Sequence, residues 1–126
     1  MDILKIKGTS HYPEISLNAE TGKIEFSGNS LPENAKDFYE PINSWVSSYI
    51  EAPCEETVVE FRMTYYNTPS SKTIFVILKK LELIHGKTSN VKILWYYPDD
   101  DIDMKYAGKD YSENIEIPFK LIPYKG

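Results

Sequence analysis

Cysteine, arginine and histidine are scarce in this chain, and each scarcity closes off a chemistry. Cys54 is the single cysteine of 126 residues, so no internal disulfide forms, in keeping with a reducing compartment. It has no histidine close in sequence, and we read it as a structural thiol. Arg62 is the one arginine, and the formal net charge is -5. Nucleic-acid recognition uses clustered Lys and Arg, often with Arg forks, so no nucleic-acid partner is expected. His11 lies beside Tyr12 and Pro13 in an expected loop. His85 falls at the end of an expected helix, where a cation complements the dipole. Neither stands near another catalytic residue type, so no hydrolytic or acid–base site is expected, and an enzyme finds no support beyond scattered carboxylates. The six glycines are scattered and form no phosphate loop. There is no Cys/His metal pattern, so neither metal nor cofactor is expected. No apolar run approaches the ~20 residues of a membrane span. The opening "MDILKIKGTSHYPE" lacks the charged-then-apolar layout of a signal peptide, which places the protein in the cytoplasm, away from membrane.

What the chain does contain is ordinary globular material, 41% hydrophobic and 26% charged. No repeat, linker or composition shift divides it, so residues 1–126 read as one domain. Three short strands open it: "DILKIK", "EISLN" and "KIEFSG". A Gly22-bearing turn joins the last two as a hairpin. Ser30 and Glu33 fit a capping box for a first helix, with Pro32 in its first turn. Phe38, Ile42, Trp45, Val46, Tyr49 and Ile50 recur at helical spacing. Pro41 interrupts that pattern and predicts a kink or a short break. "TVVEFRMTYY" alternates as an interior strand. Ile74, Ile77, Leu78, Leu81 and Ile84 mark a second helix ending near His85 and Gly86. "VKILWYY" is a strand, the acidic stretch after it holds a short helix, and "IEIPFKLIPY" is a last strand that Pro118 assigns to an edge or a bulge. The order predicts an α/β fold with a mixed sheet and helices packed mainly on one face.

Two stretches carry candidate chemistry. "YYNTPSSK" leads from strand to helix. With Pro69 at the first helical position, Thr68 reads as the N-cap, its hydroxyl accepting from the N–H of Ser70 or Ser71. The same geometry suits a phosphate on Thr68. A helix start offers free N–H groups and a positive dipole end, and Lys72 stands one turn on. Such a group adds about -1.5 to -2 charge and would change what can cover this surface. The second stretch, "DDDIDMKYAGKD", alternates Asp99, Asp101 and Asp103 as a calcium loop does. Met104 and Asp110 occupy the positions where an EF-hand has Gly and Glu. Residues 99–110 therefore stay open between a solvated surface that caps a helix, a docking surface for a basic partner built on Asp99, Asp100, Asp101 and Asp103, and a small-ligand or divalent-metal site.

The stretches "GTSHYPEI", "GNSLPENAKDFYEPINSWVSSYI", "YYNTPSSK", "WYYPDDDIDMKYAGKDYSE" and a late "PF" together resemble the SiaC family of bacterial regulatory phosphoproteins, nearly end to end. The resemblance implies a fold like that of STAS domains and anti-sigma-factor antagonists. It implies that Thr68, in its Asn67-Thr68 motif, is the phosphoacceptor, flanked by Pro69, Ser70, Ser71 and Lys72. It implies three partners: a serine/threonine kinase, a PP2C-type phosphatase, and a diguanylate cyclase. The unphosphorylated protein would bind and activate the cyclase, raising cyclic di-GMP and promoting biofilm. Two positions depart from the family pattern: Pro69 replaces the serine of Asn-Thr-Ser-Ser, and Tyr106 stands where an acidic residue is expected.

Overall fold

Alternate burial marks nearly every strand of this computed structural model, which describes residues 3–125. The strands are β1 (Leu4–Ile6), β2 (Glu14–Asn18), β3 (Lys23–Ser30), β4 (Glu56–Tyr66), β5 (Asn90–Pro98) and β6 (Phe119–Tyr124). Asp2, part of the expected first strand, lies outside the described residues. The helices are α1 (Ala35–Tyr49), α2 (Thr68–Glu82) and α3 (Ile102–Asn114). In β4, Thr57, Val59, Phe61 and Met63 are buried, while Arg62 and Thr64 on the opposite face are exposed. Period-two alternation of this kind buries one sheet face and leaves the other to solvent.

All six strands join one sheet in the order β1-β2-β3-β4-β5-β6. The β1–β2 and β2–β3 pairs are antiparallel, and the expected hairpin is present, turning at Gly22 with φ +75°. From β3 onward every pair is parallel. Each of α1, α2 and α3 is thus the crossover between neighbouring parallel strands. Right-handed crossovers in one direction put successive helices on the same face. One hydrophobic cluster fills the space between, with Phe26, Phe61 and Trp95 of β3, β4 and β5 facing Ile42, Val46, Ile74 and Leu78 of α1 and α2. Burying such side chains is the main stabilising term, about 1.5–3 kcal/mol for each large one.

The third helix makes the closest approach. A Cβ on Gly108 would lie 2.5 Å from Trp95 Cδ1 and 2.7 Å from Leu121 Cδ2. The Trp95 indole N–H donates to the Met104 carbonyl at 3.0 Å. Glycine therefore lets α3 lie directly on β5 and β6.

Three local expectations are corrected. Ser30 and Glu33 do not cap α1. The cap is Asn34, whose Oδ1 accepts from the Asp37 N–H at 3.2 Å. The strand β3 continues past a register shift at Gly28 (φ +89°), which draws Ser30 into the sheet and buries it. Pro32 then lies outside the helix rather than in its first turn. Of the kink or short break expected at Pro41, the break does not occur: α1 is continuous over Ala35–Tyr49. Pro41 and Asp37 are both exposed, so the missing bond falls on the solvent side of the helix, where it is tolerated. Finally, α2 ends at Glu82, short of His85. The His85 Nδ1 accepts from the Val91 N–H at 3.0 Å, closing the turn into β5 instead of serving the helix dipole as a cation. The edge placement of the last strand holds, with Pro118 just ahead of β6.

Candidate functional site

The helices α1, α2 and α3 begin where β3, β4 and β5 end, so their N-termini share one rim of the sheet. The carboxyl rim of a parallel sheet is where such folds commonly bind ligands. Side chains cap all three starts: Asn34, Asn67 and Asp101.

Asn67, rather than Thr68, caps α2. Its backbone is extended at φ -82° and ψ 170°, and its Oδ1 accepts from the Ser70 N–H at 3.0 Å. Cap-to-N3 spacing fits Asn67 and Ser70, which moves Thr68 to N1 and Pro69 to N2. Pro69 costs nothing there, because the first-turn N–H groups lack intrahelical partners. Thr68 is consequently exposed, and among the described residues its hydroxyl makes no hydrogen bond.

The residues around it are anchored. Ser70 is fully buried; its hydroxyl meets Ser30 Oγ at 2.8 Å and donates to the Ser30 carbonyl at 3.3 Å. Ser30 Oγ also meets the Tyr39 hydroxyl at 2.7 Å. Burial pushes the Tyr39 phenol up to about 12. Asn67 donates its backbone N–H to the Ser30 carbonyl at 3.0 Å and its Nδ2 to the Pro32 carbonyl at 3.4 Å. On the other flank, the Tyr111 hydroxyl of α3 donates to the Ser71 carbonyl at 2.9 Å and lies 3.0 Å from Ser71 Oγ. Burial raises the Tyr111 phenol, and burial together with the adjacent Tyr111 raises that of Tyr66. The first turn of α2 is thus held to β3 and α1 by Ser70 and to α3 by Ser71, with Thr68 presented outward between them.

Two grooves flank α2. One of about 580 Å³ runs between α2 and α3, lined by Tyr66, Ser71, Phe75, Val76 and Tyr111. One of about 340 Å³ runs between α1 and α2, lined by Lys36, Asn43, Lys72 and Thr73. Lys72 and Val76 border both.

The aspartates lie along the same rim without converging. Asp101 caps α3 through the Met104 N–H at 3.0 Å. Asp99 and Asp100 are exposed in the turn before it, and Asp103 is exposed in the first helical turn. Among the described residues no three His, Cys, Asp or Glu side chains gather to hold a metal ion. Asp101 and Asp103 do border a cleft with Tyr65 and Tyr66, close to the end of β4. Sequence spacing missed Ser30, Tyr39, Tyr66, Tyr111 and Lys36. Tyr66 directly precedes Asn67, but the others reach the site through long-range packing, and Ser71 and Tyr111 are 40 residues apart.

Comparison with known proteins adds the following. A family model described as SiaC family regulatory phosphoprotein matches residues 6–124. An uncharacterized protein of Pseudomonas aeruginosa (strain UCBPP-PA14) is 26% identical, the match covering 96% of each chain. The crystal structure of the diguanylate cyclase SiaD in complex with its activator SiaC, from Pseudomonas aeruginosa, contains a chain 26% identical with a TM-score of 0.90. That match covers 96% of this chain and 99% of the other. Apo-SiaC of the same organism is 27% identical with a TM-score of 0.88, over 97% of this chain and 99% of that one. Among the described residues no helix is long and apolar enough to cross a membrane.

Proposed function

The chain belongs to the SiaC family of regulatory phosphoproteins, and on that premise we propose that it is an interaction switch set by phosphate on Thr68. Unphosphorylated, it binds and activates a diguanylate cyclase, as the SiaC that it resembles is the activator of SiaD. A serine/threonine kinase adds the phosphate and a PP2C-type phosphatase removes it. The domain itself recognises and regulates, and catalysis belongs to its partners.

One observation carries this reading. Thr68 presents an exposed, unbonded hydroxyl in a turn anchored through Asn67, Ser70 and Ser71. A kinase must reach a hydroxyl and hold its chain in the active site, which an unbonded side chain at a rim allows. A phosphate there breaks no hydrogen bond of the fold, yet adds about -1.5 to -2 charge to any surface that covers it. A bound partner would have to strip water from that charge, which is costly unless a countercharge meets it.

The test is reconstitution with the cognate kinase and cyclase. Intact-mass and peptide analysis should place one phosphate on Thr68 and none on Thr68→Ala. Cyclase activity should rise with the unmodified protein and with Thr68→Ala, and stay basal with the phosphorylated form. Phosphate found elsewhere, or equal activation by both forms, would refute the switch.

A further inference from the structure

A phosphate on Thr68 needs positive partners, and the first turn of α2 withholds the usual ones. Helix starts hold anions with their free N–H groups. Here Pro69 has no N–H. The Ser70 N–H is bonded to Asn67 Oδ1 at 3.0 Å, and the Ser71 N–H to the Asn67 carbonyl at 3.0 Å. Of these positions, Thr68's own N–H alone is left.

Two lysines border the adjoining α1–α2 groove instead. Lys72 is one turn on from Thr68, at the spacing that sets Cβ atoms about 5–6 Å apart. Lys36, in the first turn of α1, lines the same α1–α2 groove as Lys72. The bond from Asn67 Nδ2 to the Pro32 carbonyl ties the start of α2 to the segment that enters α1. Both lysines are exposed, and neither forms an ion pair among the described residues. Glu40 shares their groove and Asp110 borders the α2–α3 groove beside Lys72, but neither comes within ion-pair distance. In a chain of net charge -5, this pair is a local basic spot beside the modifiable hydroxyl.

We propose that Lys36 and Lys72 work as a two-way charge switch. In the unmodified protein they receive an acidic side chain of the partner docked along the α1–α2 groove. In the modified protein the phosphate on Thr68 captures them and takes that place. The proposal rests on Thr68 being the phosphoacceptor, and it names the chemistry of the partner surface, which is carboxylate-bearing. Lys36, Lys72 and Glu40 give the groove about +1, and a phosphate of about -1.5 to -2 turns it negative. The partner's carboxylate then loses its attraction and meets an anion. Affinity falls while the fold stays unmoved.

The experiment installs phosphothreonine at position 68 by genetic code expansion, independently of any kinase. The second ionisation of the phosphate is followed by phosphorus NMR; it lies near 6 when unperturbed. Neighbouring ammonium groups lower it. It should titrate at least about half a unit lower in the native background than in Lys36→Gln/Lys72→Gln, and Lys36→Arg/Lys72→Arg should restore the lowered value. Without phosphate, Lys36→Gln/Lys72→Gln should bind the diguanylate cyclase at least about tenfold more weakly, with a shallower salt dependence. Thermal unfolding checks that the double variants remain folded. Equal titration in the native and Gln backgrounds, or equal cyclase affinity, overturns the proposal. A kinase that ignores Thr68 would instead defeat the reading of the switch and leave the phosphorus result standing.

Discussion

Asn67 Oδ1 accepts a hydrogen bond from the Ser70 backbone N–H at 3.0 Å, and this bond separates two tasks that adjacent residues could have shared. Asn67 holds the helix, and Thr68 keeps an exposed hydroxyl free of that duty.

The separation is measurable as stability. Asn67→Ala should cost about 1 kcal/mol, the usual value of a lost cap. Thr68→Ala should stay within about 0.5 kcal/mol of the native protein, as an exposed change that breaks no bond. Urea unfolding gives both numbers. Amide exchange should quicken at Ser70 in Asn67→Ala alone. A larger cost for Thr68→Ala than for Asn67→Ala would return the cap to Thr68.

A charge at Thr68 should be tolerated equally well. Thr68→Glu should unfold within about 0.5 kcal/mol of the native protein. It should bind the diguanylate cyclase more weakly than Thr68→Ala does. Calorimetry of the two variants against the same cyclase checks this, and matched affinities would count against control by charge.

Among the aspartates, Asp101 alone has a structural task in α3. Asp101→Ala removes the bond to the Met104 N–H and should cost about 1 kcal/mol. Asp99→Ala and Asp100→Ala change exposed side chains and should be nearly neutral. Millimolar calcium should leave the melting temperature unchanged. A bound ion at 100 times its dissociation constant would add about 2.7 kcal/mol, a shift of several degrees.

Gly108→Ala reverses the usual rule for helices. Alanine normally gains about 1 kcal/mol over glycine in a helix interior. Here its methyl would meet Trp95 and Leu121, so α3 must lift from the sheet. A net loss of about 1–2 kcal/mol is expected, as overpacking outweighs propensity. The tryptophan emission should shift as Trp95 loses its cover.

High pH should unfold the protein through its buried phenols. Tyr39 is 1% exposed and burial pushes its phenol up to about 12, against about 10 in an unfolded chain. The folded state therefore holds that proton more tightly. The resulting stability is fully present below pH ~10 and is lost between ~10 and ~12, at about 1.4 kcal/mol per pH unit. Tyr49, Tyr66 and Tyr111 are raised in the same direction, chiefly by burial. Tyr39→Phe should flatten the decline in proportion. Denaturant midpoints taken across that range, with ultraviolet titration of the phenols, measure it.

The sequence made some of this legible, and the boundary has physical causes. Element order followed from periodicity, because the stripe from Ile74 to Leu81 and the alternation from Thr57 to Met63 are local patterns. Cap identity did not follow. Ser30, Asn34, Asn67 and Thr68 are all competent cap types, and the choice depends on where the preceding strand stops. The strand β3 runs two residues past Gly28 because its parallel pairing with β4 continues to Tyr66. The Asn67-Thr68 motif stood out in the sequence as a candidate, through its place at a helix start and its resemblance to the SiaC family. Its supports were not, since Ser30, Tyr39 and Tyr111 approach from elements far along the chain. Neither was Lys36, brought beside Lys72 only by the packing of α1 on α2.

The strand order of the sheet also bears on synthesis. Since β1 to β6 lie side by side in chain order, each strand leaving the ribosome finds its neighbour already made. No later strand must be inserted between two earlier ones. Domains form from their N-terminal side during translation, and pairings between near neighbours in sequence form fastest. Growth by addition at a single open edge would leave β6, with Pro123 within it, as the strand that closes the series.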